Sequence, residues 1–275
     1  MIRYMKKMTG TSITNSAGLT EEQLRRFVPA IFATEPDADR SSSYGFIPTI
    51  QVVNSMIGMG FTPMMACQTN ARSDIAMNCV RHMIRFSHKD AAHDEHNRQE
   101  LVLLNSHDGS SSYKLLSGVY RMVCSNGLIA GDTHASMNVR HTSNAAKEVS
   151  QASMAMIKGS DGVWKSVQEM QRTHLSRSGL FELGEEAARI AHPTVEIDPE
   201  DMVRVRRYAD YDPSNLWTGL NIVQENAIRG DVLAARRNSE GHVIRFRTRP
   251  IHSVKRSVQI NQDLFALAEM VLALT

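Results

Sequence analysis

Histidine, acid and arginine are the chemically equipped side chains that cluster in this chain. His82, His88, His93, His96 and His107 crowd one stretch, and His107 is followed by Asp108 in Leu103-Leu-Asn-Ser-His-Asp-Gly-Ser-Ser-Ser112. Neutral imidazoles and a carboxylate are metal ligands, so this stretch is compatible with a metal-dependent nuclease using His107 and Asp108. The spacings match no closed zinc pattern, however, and Asp-Gly beside Asn105 and Ser106 signals a turn. A solvated loop and a strand-to-strand turn are the preferred readings, with no catalytic residue and no metal ligand assigned. Cys67, Cys79 and Cys124 lack Cys-x-x-Cys spacing, and an odd count is a poor disulfide framework, which fits a reducing cytoplasm. No phosphate-binding loop, dinucleotide fingerprint or nucleophile elbow appears, so nothing suggests nucleotide hydrolysis and no cofactor is expected.

The basic residues form the stronger constellation. Binding a nucleic-acid single strand requires positive charge for phosphates and flat or apolar surfaces for bases. The candidates are Arg72, Arg81, Arg85, Lys114, Arg121, Arg245, Arg247 and Arg249. Between Arg229 and Arg256 the chain carries eight cationic residues against Asp231 and Glu240, a local charge of +6 on a chain of net +2. In Arg245-Phe-Arg-Thr-Arg249 the arginines fall at every second position and share one face if the segment is extended. The competing reading is a solvated edge strand whose charges prevent aggregation.

Elements to position these groups follow from periodicity. The chain has 275 residues and 42% hydrophobic content, enough for a sizeable core. Residues 1–40 read as an N-terminal extension with one capped helix after Thr20, limited by Pro29, and a polar loop before a core that begins near Tyr44. Within residues 41–142, a helix over Ile50–Met59 is expected to exit through Gly60-Phe61 into a three-stranded meander formed by Phe61–Thr69, Ala76–Phe86 and Glu100–Leu104. Leu115, Leu116, Val119 and Val123 suggest helix for the second half of the segment ending at Asn126-Gly127. Residues 143–230 read as helical, and residues 231–275 as a basic segment closed by an apolar helix. Sixteen methionines are best read as core filling. No run approaches a membrane span, and the N-terminus does not read as a signal peptide.

Two resemblances add to this reading. From about Ser42 to Leu267 the chain resembles an uncharacterised phage- and plasmid-encoded protein family. The resemblance rests on Phe46-Ile-Pro-Thr, Arg81-His-Met-Ile-Arg-Phe, Leu104-Asn-Ser-His-Asp-Gly, Gly118-Val-Tyr-Arg-Met-Val-Cys-Ser-Asn-Gly-Leu128 and Leu216-Trp-Thr-Gly-Leu-Asn-Ile-Val-Gln-Glu-Asn226. More remotely, Tyr44 to Gly131 is similar to the Rad fifty-two and Red-beta type of single-strand annealing protein. There Phe46-Ile47, Val52-Val53-Asn54 and Gly60-Phe61 occupy matching positions, and Arg121 would face the inner phosphate track. Gln51 departs from the basic residue that many annealing proteins carry before the valine.

The annealing resemblance implies an α+β protein with a β-β-β-α annealing-protein-like core and a largely helical C-terminal half. It implies a non-enzymatic, ATP-independent, cytoplasmic protein that binds single-stranded DNA and anneals it in recombination. Such a protein would work as a homo-oligomeric ring or filament, with an exonuclease or single-strand-binding protein as partner and no membrane. The mobile-element context equally suits a counter-defence or regulatory factor that binds a host protein.

Overall fold

The computed structural model describes residues 2–7, 10–37, 46–69, 78–109, 111–121, 136–139, 144–159, 161–207 and 212–275. The protein is α+β with a helical C-terminal half, and its chain divides into two compact units, residues 1–161 and 162–275.

In the first unit a sheet runs in sequence order through β1 (Ile2–Lys7), β2 (Gly10–Asn15), β3 (Phe61–Thr69), β4 (His82–His88), β5 (Asn97–Asn105), β6 (Tyr113–Arg121) and β7 (Ser136–Val139), antiparallel throughout. Helix α1 (Glu21–Phe27), a 3₁₀ turn (Pro29–Phe32) and α2 (Thr49–Gly58) fall between β2 and β3 in the chain, and α3 (Ala145–Gly159) follows β7. Thr20 and Gln23 form a capping box that starts α1, as the Thr-Glu-Glu-Gln sequence predicts. Gly60 lets the chain leave α2 at φ +92°, where a Cβ would stand 3.1 Å from His88 Nε2.

One face of this sheet carries Ile84, Phe86, Leu101, Leu103, Tyr113 and Leu115 into a core shared with Val52, Val53 and Met56 of α2 and Val149 of α3. Each fully buried apolar side chain contributes about 1.5–3 kcal/mol. Ser55 and Ser150 are joined at 2.6 Å between α2 and α3, and Tyr113 donates its hydroxyl proton to the Ile47 carbonyl at 2.9 Å.

Four expectations change here. The 1–40 extension is not only helix and loop, because β2 pairs with β3 and continues the sheet. The three-stranded meander is the middle of a seven-stranded one. It is followed by a strand rather than a helix, since Tyr113–Arg121 pairs with β5; the part of that segment beyond Arg121, like residues 38–45, lies outside the described residues. The break falls at residue 161 and not at 142, because Ala145, Val149, Ala152 and Ile157 bury α3 in the first core. Residues 231–275 fall in the second unit.

The second unit contains α4 (Asp161–Arg172), α5 (Arg177–Ala191), the single turn α6 (Pro199–Met202), α7 (Leu216–Arg229) and α8 (Val254–Leu274). Helix α7 is buried from Leu216 through Trp217 and from Gly219 to Ala227. Its polar groups are met internally: Gln224 donates to Asn261 of α8, Asn226 donates to the Met202 and Arg204 carbonyls, and Glu225 takes a bidentate pair from Arg207 at 2.6 and 2.7 Å. Beside these helices lies a three-stranded antiparallel sheet in the order β10 (Val243–Arg247), β9 (Leu233–Arg237), β8 (Glu196–Ile197). Among the described residues no helix is long and apolar enough to cross a membrane.

Candidate nucleic-acid interface

The basic residues expected on the first sheet separate into different environments. Arg85 is 6% exposed, and its Nε donates to Glu100 Oε2 at 2.7 Å. It sits on the face opposite Ile84 and Phe86, beside Val102 and Leu116, which are also buried. A buried guanidinium committed to a buried carboxylate is not offered to a phosphate, so Arg85 leaves the candidate set. Arg81, half-buried, immediately precedes β4, and exposed Lys114 lies near the same end of the sheet, paired with Leu104. Arg121 is the last residue of β6, opposite Asn97, about 23 Å along the strand from Lys114 at ~3.3 Å per residue. These positions make no continuous track. Arg72 lies outside the described residues.

In the second unit the arginines do come together. Arg237 and His242 flank a turn in which Asn238 Oδ1 accepts from the Glu240 and His242 amides, and Gly241 takes φ +84°. This turn returns the chain so that Val243 pairs with Arg237 and Arg245 with Ala235. Strand alternation then puts Arg237, Val243, Arg245 and Arg247 on one face, and Arg236, Ile244 and Phe246 on the other. The arginines are exposed, as are Val243 (53%) and Ile244 (41%). On the second face the Arg236 guanidinium lies 5.5 Å from the Phe246 ring centroid.

The alternation expected for 245–249 holds through Arg247, but not all three arginines are available. Arg247 is held by Asp201 at 3.0 Å and by Asp231 at 3.5 Å. Arg249 lies past the strand, exposed, where its backbone closes on Gly230; a Cβ there would be 2.6 Å from the Arg249 carbonyl carbon. Arg236, Arg237 and Phe246 join the candidate surface although the arginine periodicity did not select them. The Asn-Ser-Glu-Gly turn between two basic runs was the signal that a hairpin brings them together.

The histidines also sort themselves. His88 packs on Phe61, while His93 and His96 are exposed in the polar loop. His82 and His107 meet inside the first unit with ring centroids 5.2 Å apart. Thr49 Oγ1, at the first residue of α2, lies 2.9 Å from His82 Nε2 and 3.1 Å from His107 Nε2, and accepts from Asn105 Nδ2 at 2.9 Å. The Val80 carbonyl can only accept, so His82 carries its proton on Nδ1. With both rings neutral, Thr49 then donates to His82 and accepts from His107. All four side chains are at most 1% exposed. This cluster locks a helix start to two strands, and His107 belongs to it rather than to an open turn. Among the described residues no three His, Cys, Asp or Glu side chains are grouped to hold a metal ion.

Comparison with known proteins places this architecture. The family model described as "Domain of unknown function (DUF932)" matches residues 38–265. The chain belongs to that family. It is 32% identical over 256 residues to the UPF0380 protein YafZ of Escherichia coli (strain K12), and 32% identical over 260 residues to the UPF0380 protein YfjQ of the same organism; each match covers 92% of both chains. No solved structure matches.

Placed on this DUF932 chain, the resemblance motifs prove largely architectural. Thr49 of Phe46-Ile-Pro-Thr, His82 of the Arg81 motif, and Asn105 and His107 of the Leu104 motif are the four members of the buried cluster. Leu216 to Asn226 is the buried helix α7. The exposed basic β9–β10 hairpin lies outside all five motifs.

Proposed function

We propose that this DUF932 protein binds single-stranded DNA and promotes its annealing without ATP, as an oligomer, and that the β9–β10 hairpin is a principal contact. One observation carries the reading: exposed Arg237 and Arg245 share a face with Val243, while Arg236 lies over Phe246 beside exposed Ile244 on the other. Guanidinium groups interleaved with apolar and aromatic platforms suit a backbone of phosphates with unpaired bases beside it. Exposed Lys114, with Arg81 toward the same end of the first sheet, supplies a second contact region. The resemblance of residues 44–131 to annealing proteins supports annealing as the outcome of binding.

Fluorescence anisotropy of a labelled oligothymidine across a salt series tests this. The expected result is salt-sensitive binding that prefers single strand to duplex. Arg237→Ala with Arg245→Ala should then flatten the slope of log affinity against log salt by about 0.7 for each phosphate no longer neutralised. No binding at low salt would overturn the reading.

A further inference from the structure

We infer that the outer edge of β10 is a docking site for an extended acidic segment of a protein partner, which adds to the three-stranded sheet as a fourth strand. The hydrogen bonds that bracket the hairpin fix which backbone groups are open. Asn238 N donates to the His242 carbonyl, and Thr248 N donates to the Val232 carbonyl. With the register between them, this makes 242, 244, 246 and 248 the residues bonded to β9. The amides and carbonyls of Val243, Arg245 and Arg247 therefore point away from β9, and among the described residues no strand pairs with them. The other end of the ladder agrees: Asp198 N donates to the Leu233 carbonyl, so β9 turns its odd-numbered residues to β8 and its even-numbered ones to β10.

Charge selects the occupant. A strand laid along this edge would meet Val243 and Arg245 on one face, with Arg237 behind Val243, and Ile244 and Phe246 on the other. Carboxylates at alternate positions would pair with the arginine face, and apolar residues between them would cover Ile244, which is 41% exposed. A second copy of β10 would instead bring Arg245 close to its own kind, so the arginines act against self-pairing while admitting an acidic strand. Nucleic acid can use the side chains of the two faces but has no regular ladder to offer the edge. Loss of an outward amide therefore tests the peptide ladder directly.

The test uses the full chain and a labelled peptide of alternating Asp and Val, with an alternating Lys and Val peptide as control. Val243→Pro removes an outward amide and no bond to β9, a replacement that an edge strand tolerates. The expected result is salt-sensitive binding of the acidic peptide, weakened about tenfold or more by Val243→Pro but only about twofold by Val243→Ala, which keeps the outward amide. Arg245→Glu should exchange preference from the acidic to the basic peptide. In amide exchange, the peptide should slow Val243, Arg245 and Arg247 more than Ile244 and Phe246. Unchanged peptide affinity in Val243→Pro would show a merely electrostatic surface and overturn the docking site, as would absence of peptide binding in a protein that binds oligothymidine. A self-associated protein that becomes monomeric with Val243→Pro would place a second copy on the edge and overturn it too.

Discussion

Arg81-His-Met-Ile-Arg-Phe86 and Arg245-Phe-Arg-Thr-Arg249 look alike as strings, yet their arginines have opposite fates. Arg85 stands on a middle strand of seven, on a face whose neighbours Val102 and Leu116 are buried, and its charge is absorbed by Glu100 at 2.7 Å. Arg245 stands on an edge strand of three and remains exposed. What differs is strand position, and position decides whether a cation is a cost to be neutralised or a group to be used.

Removing one partner on each side should expose that contrast most strongly. Glu100→Ala takes the paired carboxylate from the buried Arg85 guanidinium and is expected to cost about 3–5 kcal/mol in urea unfolding. Arg245→Ala should stay within about 0.5 kcal/mol. Replacing Arg85 and Glu100 together by Met and Leu should recover much of the loss. If Glu100→Ala proved no more harmful than Arg245→Ala, the pair would not be buried in solution.

Core packing gives the next effect. Met56 is fully buried between α2 and the sheet, so Met56→Ala should cost about 2–5 kcal/mol, whereas Met270→Ala, at a side chain 59% exposed, should be nearly silent within about 0.5 kcal/mol. The sixteen methionines are thus not one class.

Gly230→Ala should cost about 1–3 kcal/mol, because φ is +66° and the new Cβ would press on the Arg249 carbonyl carbon. That glycine also sets where the basic hairpin joins α7. Oligothymidine binding of the folded fraction should consequently weaken in Gly230→Ala, and should be unaffected in Gly58→Ala, where a Cβ meets nothing within 4 Å.

What could be read from the chain follows the same division. Helices α1, α2, α5, α7 and α8 announce themselves through caps and apolar periods, and strands β3 to β5 through apolar runs between polar loops. Strand β6 was hidden because both of its faces are buried: Leu115 and Val119 turn one way and Leu116 the other, which mimics helical spacing. β2 was hidden for the reverse reason, since Gly-Thr-Ser-Ile-Thr-Asn offers one apolar residue, Ile13, to the core. The residues after Pro199 form a single turn and not a longer helix, because Arg206 and Arg207 are drawn to Asn226 and Glu225 of α7. The candidate site shows its basic character in the sequence, but not which residues come together in it. Arginine periodicity identifies Arg245, yet only the hairpin register adds Arg236, Arg237 and Phe246. Only burial removes Arg85.

The smallest expected effect lies at the end of α5, where a histidine replaces the usual solvated cap. His192 accepts the helix's closing position, its amide donating to the Ala188 carbonyl. Burial, and then the Arg256 guanidinium, lower its pKa below the ordinary 6.5, while a hydrogen bond with the Ala227 backbone opposes them. The unfolded chain therefore binds more protons than the folded one below about pH 6.5, and stability must rise with pH across that window. This contribution is fully present above pH 6.5 and is lost as the pH falls from there through the lowered folded pKa. His192→Gln should flatten the dependence between about pH 5 and 7 without changing the plateau slope above it, as measured by urea midpoints at each pH. Arg256→Gln should flatten it in part, because desolvation would remain when the charge is gone. A slope unchanged in both variants would assign the acid sensitivity of the second unit to groups other than this cap.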